Sequence, residues 1–93
     1  MDIRVLKYFV MIAKEENITR ASEKLNITQP TLSRQIQDLE EEIGATLLIR
    51  GKRKVTLTDA GFLYLQRTKE ILRLVDKAER DVQNESDTVA GIV

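Results

Sequence analysis

The stretch Thr28–Ile43, TQPTLSRQIQDLEEEI, decides the fold, and its pattern predicts a single amphipathic helix. Thr28 is a favourable N-cap, and Pro30 suits the first turn, where its missing N–H costs nothing. Gly44 follows as a natural helix stop. The apolar residues recur at intervals of four, three and four, which predicts one buried stripe: Leu32, Ile36, Leu39 and Ile43.

The opposite side of this helix is polar near its N-terminus and acidic near its C-terminus. That side holds Pro30, Thr31, Arg34, Asp38 and Glu41, with Gln29, Ser33 and Gln37 on its flanks. Glutamine and arginine make bidentate contacts to base edges, and the positive end of the helix dipole favours phosphate. A solvated surface on an ordinary core helix is the alternative, which the helix alone favours. The flanking sequence reverses that preference.

Two helices are predicted before this stretch. Asp2 can cap a helix that runs to about Glu16, although the run Tyr8–Ala13 also suits a buried strand. Helical spacing of the apolar residues that precede the run favours the helix. The segment Asn17-Ile18-Thr19 is a break with two possible caps, Asn17 and Thr19, and a short helix follows through Ala21 and Leu25. Two helices joined by about three residues, the second with a polar N-terminal surface, are typical of a helix-turn-helix.

After Gly44, two short apolar segments flank a basic turn. Leu47–Arg50 and Val55–Leu57 predict two strands, and Gly51 opens the turn between them. Lys52, Arg53 and Lys54 are adjacent, with no acidic residue within several positions. A solvated hairpin tip is the alternative, but a basic loop beside a recognition helix favours a wing that enters the minor groove.

Thr58 can cap a long helix from residue 59 to about residue 86. Along it, six residues recur at alternating intervals of four and three, which predicts a heptad seam and homodimerisation. The members of this heptad seam are Tyr64, Thr68, Ile71, Val75, Ala78 and Val82. Packing of the whole seam within the chain is the alternative, but the preceding segments supply little apolar surface to cover it. The apolar, β-branched tail 87–93 predicts a strand cut short, at the start of a missing domain.

Composition limits the function classes. The chain has 93 residues, enough for one small domain, and its formal net charge is zero. The charges are nevertheless segregated, since residues 36–46 carry acidic groups without basic ones and residues 47–56 carry the reverse. With no cysteine and no histidine, Cys/His zinc sites and histidine-based triads are excluded. We therefore predict no catalytic site, metal or cofactor.

Localisation follows from the same composition. The longest apolar run is too short to span a bilayer, and the N-terminus lacks the basic region of a signal peptide. The absence of cysteine suits a reducing compartment. The sequence predicts a cytoplasmic protein without membrane contact.

Taken together, these segments resemble the N-terminal domain of LysR-type transcriptional regulators. The resemblance covers almost the whole chain. It rests on five segments in this order and spacing: Leu6 with Phe9, Asn17–Leu25, Ile27–Ile36 with Leu39-Glu40 and Ile43-Gly44, Leu47–Arg50, and Leu57–Gly61. Two positions depart from the usual family pattern, Ser22 where a second alanine is common and Leu48 where phenylalanine is frequent. Both are packing positions, so DNA binding is not put in doubt.

The resemblance implies a mainly α winged helix-turn-helix, with three helices plus a two-stranded wing, followed by a long dimerisation helix. Residues 1–58 would form the DNA-binding domain, 59–86 the linker and dimerisation helix, and 87–93 the start of an absent effector-binding domain. Family members of this bacterial type bind interrupted dyad sites in promoter DNA as homodimers, and a tetramer is one option for the full-length protein. A small-molecule effector would bind only through the missing C-terminal domain.

We assign roles to the predicted DNA-binding residues from their chemistry. Base readout is expected from Gln29, Pro30, Thr31, Ser33 and Arg34, with Arg34 suited to guanine or to a phosphate. Thr19 and Arg20 would position the DNA backbone, and Arg53, with Lys52 and Lys54, would contact the minor groove. Thr28 and Arg50 complete the predicted set.

Three other functions compete with this one. A pure dimerisation module leaves Lys52–Lys54 and the Gln/Ser/Arg surface without a role. A small enzyme lacks a visible catalytic constellation, because the carboxylates of residues 40–42 point in different directions on a helix. A winged-helix regulator of another family is the nearest structural rival, and the seam of the long helix argues against it.

Overall fold

Four helices and one two-stranded sheet make up the part of the chain that the structure describes. The computed structural model describes the backbone of residues 2–92 and the side chains of residues 2–85. The elements, in chain order, are α1 Ile3–Glu15, α2 Ile18–Leu25, α3 Gln29–Ile43, β1 Leu48–Arg50, β2 Val55–Leu57 and α4 Asp59–Ile92. The strands are antiparallel, with Leu48 opposite Leu57 and Arg50 opposite Val55. This order confirms the predicted winged helix-turn-helix followed by a long helix.

Side-chain caps set where the helices begin, as the sequence predicts. Each cap oxygen accepts a backbone N–H of the first turn, which satisfies a donor that has no partner within the helix. The pairs are Asp2 Oδ1 with Arg4 N at 2.8 Å, Asn17 Oδ1 with Arg20 N at 2.8 Å, Thr28 Oγ1 with Thr31 N at 3.3 Å, and Thr58 Oγ1 with Gly61 N at 2.9 Å. Helix α3 ends at Gly44, whose φ of +79° lies in the left-handed region.

The core lies where α1, α2 and α3 meet. Phe9, Ile12 and Ala21 are fully buried there, together with the apolar stripe of α3. Leu32, Ile36 and Leu39 of that stripe are buried as predicted. Ile43 is 38% exposed, so the stripe extends one residue beyond the core. The buried stripe fixes which side of α3 faces outward, because 3.6 residues per turn place the polar residues opposite it.

The first turns of α4 pack on their own domain. The Tyr64 ring meets the Phe9 ring edge to face, with centroids 5.4 Å apart and an angle of 72° between the ring planes. Thr68 has 0% exposure, because α1 packs against this part of α4. The assignment of Thr68 to an exposed seam is therefore wrong. A heptad pattern identifies an apolar stripe but does not say which neighbour covers it.

The end of α4 also differs from the prediction. The sequence pattern predicts an extended tail at 87–93, but α4 continues through Ile92, and Val93 lies outside the described residues. An established helix extends at little cost, since each added residue contributes one backbone hydrogen bond without a new nucleation step. With 34 residues, α4 is on the order of 50 Å long.

The contact between α1 and α4 at Tyr64 is expected to lose stability at alkaline pH. Burial raises the pKa of the Tyr64 phenol above its usual 10.0, and the negative charge of Glu42 acts in the same direction. The unfolded chain therefore loses this proton first, so the contribution is complete below pH 10 and falls as the pH rises further. Denaturant unfolding between pH 8 and 11 should show a steeper loss for the wild type than for Tyr64→Phe. Parallel curves for the two proteins would contradict this expectation.

Candidate nucleic-acid interface

The first two turns of α3 present the residues predicted for base readout. Gln29, Pro30, Thr31 and Arg34 are exposed, and Ser33 is half-buried. Thr28 is exposed too, but its hydroxyl is already engaged, since it accepts the Thr31 N–H and lies 2.7 Å from Thr31 Oγ1. Thr28 thus caps the start of the recognition helix. The exposed surface next to it is formed by Gln29, Pro30 and Arg34.

The wing is held against the end of α1. The Val55 N–H donates to the Glu16 carbonyl oxygen at 2.9 Å, and the Gly51 N–H closes the turn on the Lys54 carbonyl oxygen at 3.1 Å. Lys54 Nζ lies 3.6 Å from Glu16 Oε2, so part of its charge is already balanced. Lys52 and Arg53 are exposed and form no ion pair within the described side chains. The strongest free positive charge of the wing tip is therefore at Lys52 and Arg53.

One contact joins the wing to the recognition helix. Arg50, the last residue of β1, donates from Nη1 to Ser33 Oγ at 2.6 Å across 17 positions of sequence. Neither residue type nor spacing predicts this pairing, because it depends on how β1 crosses α3. The structure thereby brings two predicted DNA-binding residues, Arg50 and Ser33, into direct contact.

A shallow concavity of about 240 Å³ lies between the wing, the start of α2 and the start of α3. Its walls include Thr19 at the N-terminus of α2 and Gln29 at the N-terminus of α3. The basic side of the concavity is formed by Arg50, Lys52, Arg53 and Lys54. Arg20 is exposed in the first turn of α2. Two positive helix ends and four cations therefore share one side of the molecule, which suits a polyanion.

Sequence reasoning missed the role of Glu40. The sequence pattern places it in an acidic surface run, but its Oε2 accepts the N–H groups of Leu47 and Leu48, at 2.7 and 3.2 Å. This half-buried carboxylate therefore fixes the chain as it leaves α3 and enters β1. Its neighbours Asp38, Glu41 and Glu42 are exposed as predicted. A glutamate four residues before a glycine helix stop is a weak signal, and only the folded loop reveals the acceptor.

Glu40→Ala should destabilise the domain by about 1.5–3 kcal/mol, because two backbone donors lose a charged acceptor. Glu40→Gln should lose less, since one side-chain oxygen is kept. Urea unfolding followed by circular dichroism measures the difference. The matched control is Glu41→Ala on the exposed side of the same helix, with an expected change within about 0.5 kcal/mol. Equal losses for Glu40→Ala and Glu41→Ala would show that the contact with the loop contributes nothing.

Two other kinds of site are absent from the described residues. None of the described helices is apolar enough over a sufficient length to cross a bilayer. Among the side chains that the structure describes, no three His, Cys, Asp or Glu residues are grouped so that they could hold a metal ion.

A recognition helix with a polar N-terminal surface, flanked by a basic wing, defines the winged helix-turn-helix class of nucleic-acid-binding modules. The model of the bacterial regulatory helix-turn-helix protein, lysR family, matches residues 3–62. The chain belongs to this family.

Curated relatives agree with this assignment. The chain is 53% identical over 79 residues to the probable cat1 operon transcriptional activator of Acinetobacter lwoffii, with 85% of this chain and 26% of that protein covered. It is 49% identical over 92 residues to the HTH-type transcriptional regulator BsdA of Bacillus subtilis (strain 168), with 98% and 32% covered. The chain thus spans about a quarter to a third of the length of these relatives.

Solved structures with the same fold include complexes with DNA. The BenM_DBD complex with catB site 1 DNA superposes with a TM-score of 0.86 at 44% identity, covering 90% of this chain and 93% of that chain. The CbnR_DBD–DNA complex gives a TM-score of 0.88 at 35% identity, covering 92% and 99%.

Proposed function

We propose that this chain is the DNA-binding part of a LysR-type transcriptional regulator. The observation that carries the proposal is the placement of the exposed start of α3 and the free cations of the wing on one side, joined by the Arg50–Ser33 contact. The start of α3 enters the major groove, and the wing tip at Lys52 and Arg53 reaches the adjacent minor groove. The DNA complexes of BenM_DBD and CbnR_DBD support this arrangement. The chain acts as a regulator and not as an enzyme.

The charges of α3 are consistent with this orientation. Its N-terminal half carries Arg34 and no acidic residue, whereas its C-terminal half exposes Asp38, Glu41 and Glu42. Carboxylates repel phosphate, so the acidic half remains outside the groove while the N-terminal half reads bases. Gln29 and Arg34 make the bidentate base contacts, and Pro30 and Thr31 lie against thymine methyl groups. Thr19 and Arg20 hold the DNA backbone at the start of α2.

The regulator functions as a homodimer through the part of α4 that its own domain does not cover. The exposed apolar residues on that side form what we term the α4 stripe: Leu63, Ile71, Leu74, Ala78 and Val82. Ile71, Ala78 and Val82 belong to both the α4 stripe and the heptad seam expected from the sequence. Leu63 and Leu74 belong to the stripe alone, and Tyr64 and Thr68 belong to the seam alone. Half-buried Val75 lies at the border of the stripe.

Two DNA-binding units in one dimer suit an interrupted dyad site, because protein symmetry is matched by operator symmetry. In the full-length regulator, a C-terminal domain beyond this chain binds a small-molecule effector. Tetramer formation and a cytoplasmic location belong to the same proposal.

DNA binding is tested by fluorescence anisotropy with a duplex from the gene's own upstream region and a scrambled duplex, over a salt series. A preference for the native duplex and a steep loss of affinity with salt are expected, since each neutralised phosphate contributes about 0.9 to the slope of log K against log salt concentration. Equal, salt-sensitive binding to both duplexes would leave DNA binding intact and place the operator elsewhere. Absence of binding to either duplex at low salt would refute the proposal.

Arg34→Ala should lower the affinity for the native duplex and reduce its advantage over the scrambled one. A bidentate arginine contact to guanine discriminates by about 1–3 kcal/mol, so the affinity ratio should drop by roughly 5- to 150-fold. Gln37→Ala, also exposed on α3 but one turn further along, is the matched control and should leave the ratio unchanged. An even loss on both duplexes would instead assign Arg34 to a phosphate. Wild-type affinity on both would remove Arg34 from the interface.

A further inference from the structure

The Arg50–Ser33 contact has a fixed direction. A guanidinium group has five N–H donors and no acceptor, so the Ser33 hydroxyl oxygen must accept in the 2.6 Å hydrogen bond. The hydroxyl hydrogen of Ser33 is then directed to another acceptor. The Ser33 hydroxyl has no other hydrogen-bond partner within the described residues. Arg50 itself is exposed, which leaves the other edge of its guanidinium group accessible.

The bonded pair is therefore rich in donors, with one lone pair of the Ser33 oxygen left as its single acceptor. One donor is the hydroxyl hydrogen of Ser33, and the others are the remaining N–H groups of Arg50. A single anionic oxygen, or the two oxygens of one phosphate, can accept from both side chains at once. The Arg50 charge also polarises the Ser33 hydroxyl and makes it a stronger donor.

The position of the pair selects the ligand. When α3 lies in the major groove and the wing lies in the adjacent minor groove, one sugar–phosphate backbone runs between them. Arg50 is the last residue of β1, directly before the wing turn, and its side chain crosses to α3 at Ser33. The pair therefore spans the gap that the DNA sugar–phosphate backbone occupies. The base edges lie deeper in the major groove, beyond this gap.

We infer that Ser33 and Arg50 form one phosphate site, and that Ser33 contacts the DNA backbone instead of reading a base. This inference rests on the proposed DNA-binding function and revises the role expected for Ser33. The pair is assembled before DNA arrives, so little side-chain freedom is lost when the phosphate binds.

The test uses Ser33→Ala, Arg50→Met and the double variant, measured by anisotropy on the native and scrambled duplexes over a salt series. Arg50→Met should lower the affinity about equally on both duplexes and reduce the salt slope by about 0.9, the value for one phosphate. Ser33→Ala should also lower the affinity on both without changing their ratio. In the Arg50→Met background, Ser33→Ala should add little, because the two side chains act as a unit.

The matched control is Arg53→Met, which removes another exposed cation of the wing that does not bind Ser33. Its loss should add fully to that of Ser33→Ala. Because Arg50 is on the surface, its replacement should leave the circular dichroism spectrum and the melting temperature unchanged. These two measurements show whether a variant is still folded. A changed affinity ratio in Ser33→Ala, full additivity with Arg50→Met, or an unaltered salt slope in Arg50→Met would each overturn the inference while DNA binding stands. A wild-type protein that binds neither duplex would overturn the proposed function as well.

Discussion

Gly61→Ala is expected to cause a large loss of stability. Gly61 lies in the first turn of α4, where it is buried against the chain that enters β1. A Cβ at this position would overlap the Leu47 carbonyl oxygen and would lie 3.1 Å from the Leu47 carbonyl carbon and 3.2 Å from Leu57 Cβ. The obstacle is backbone and cannot rotate away, so α4 must shift away from the wing.

The expected cost of Gly61→Ala is about 3 kcal/mol or more, at the upper end for an overpacked core. For a domain of this size, the melting temperature should fall by roughly 12–24 °C. Thermal unfolding by circular dichroism measures this fall. Gly44→Ala is the matched control, because Gly44 has open space around its Cβ position and a φ of +79°. Its cost should be limited to about 1–2 kcal/mol of left-handed backbone strain. A smaller loss for Gly61→Ala than for Gly44→Ala would refute the packing argument.

Leu74→Glu should convert the dimer to a monomer. Leu74 is 66% exposed in the single chain and lies at the middle of the α4 stripe. Burial of a leucine stabilises an interface by about 1.5–3 kcal/mol, and a symmetric dimer contains the residue twice. The loss of about 3–6 kcal/mol corresponds to a roughly 10²- to 10⁴-fold weaker dimer. Analytical ultracentrifugation across a concentration series measures the change.

Two control variants distinguish the α4 stripe from the heptad seam and from a general effect of added charge. Lys69→Glu places a glutamate on the far side of α4 and should leave the dimer intact. Val75→Glu tests the heptad seam expected from the sequence, since Val75 belongs to the seam and lies only at the border of the stripe. If Val75→Glu dissociates the dimer and Leu74→Glu does not, the heptad seam and not the α4 stripe is the dimer interface. A monomeric wild type at high micromolar concentration would contradict homodimerisation itself.

Local patterns account for most of the fold. The spacing of Leu32, Ile36 and Leu39 identifies the buried side of α3, and the caps at Thr28 and Thr58 place two helix starts. The glycine-opened turn at Gly51 locates the wing. Each of these features depends on residues within one or two turns of each other, which is the range over which periodicity and capping act.

Contacts between distant segments could not be predicted in the same way. The bonds from Arg50 to Ser33, and from Leu47 and Leu48 to Glu40, depend on how β1 crosses α3. The burial of Thr68 depends on how α1 packs against α4. The exposure of the residues at the start of α3 could therefore be predicted from the sequence, while the contact that joins α3 to the wing could not.

The separation of charge along the molecule has a consequence for how it approaches DNA. Because the formal net charge is zero, a distant polyanion exerts almost no net pull on the chain. The cations around Arg53 and the carboxylates around Glu41 lie on different parts of the surface, so the field of the polyanion acts on them as a torque. The molecule is turned with its wing toward the duplex before contact, and a wrongly oriented encounter meets repulsion. The protein is therefore oriented by this torque before it touches the DNA, within about one Debye length of the DNA surface.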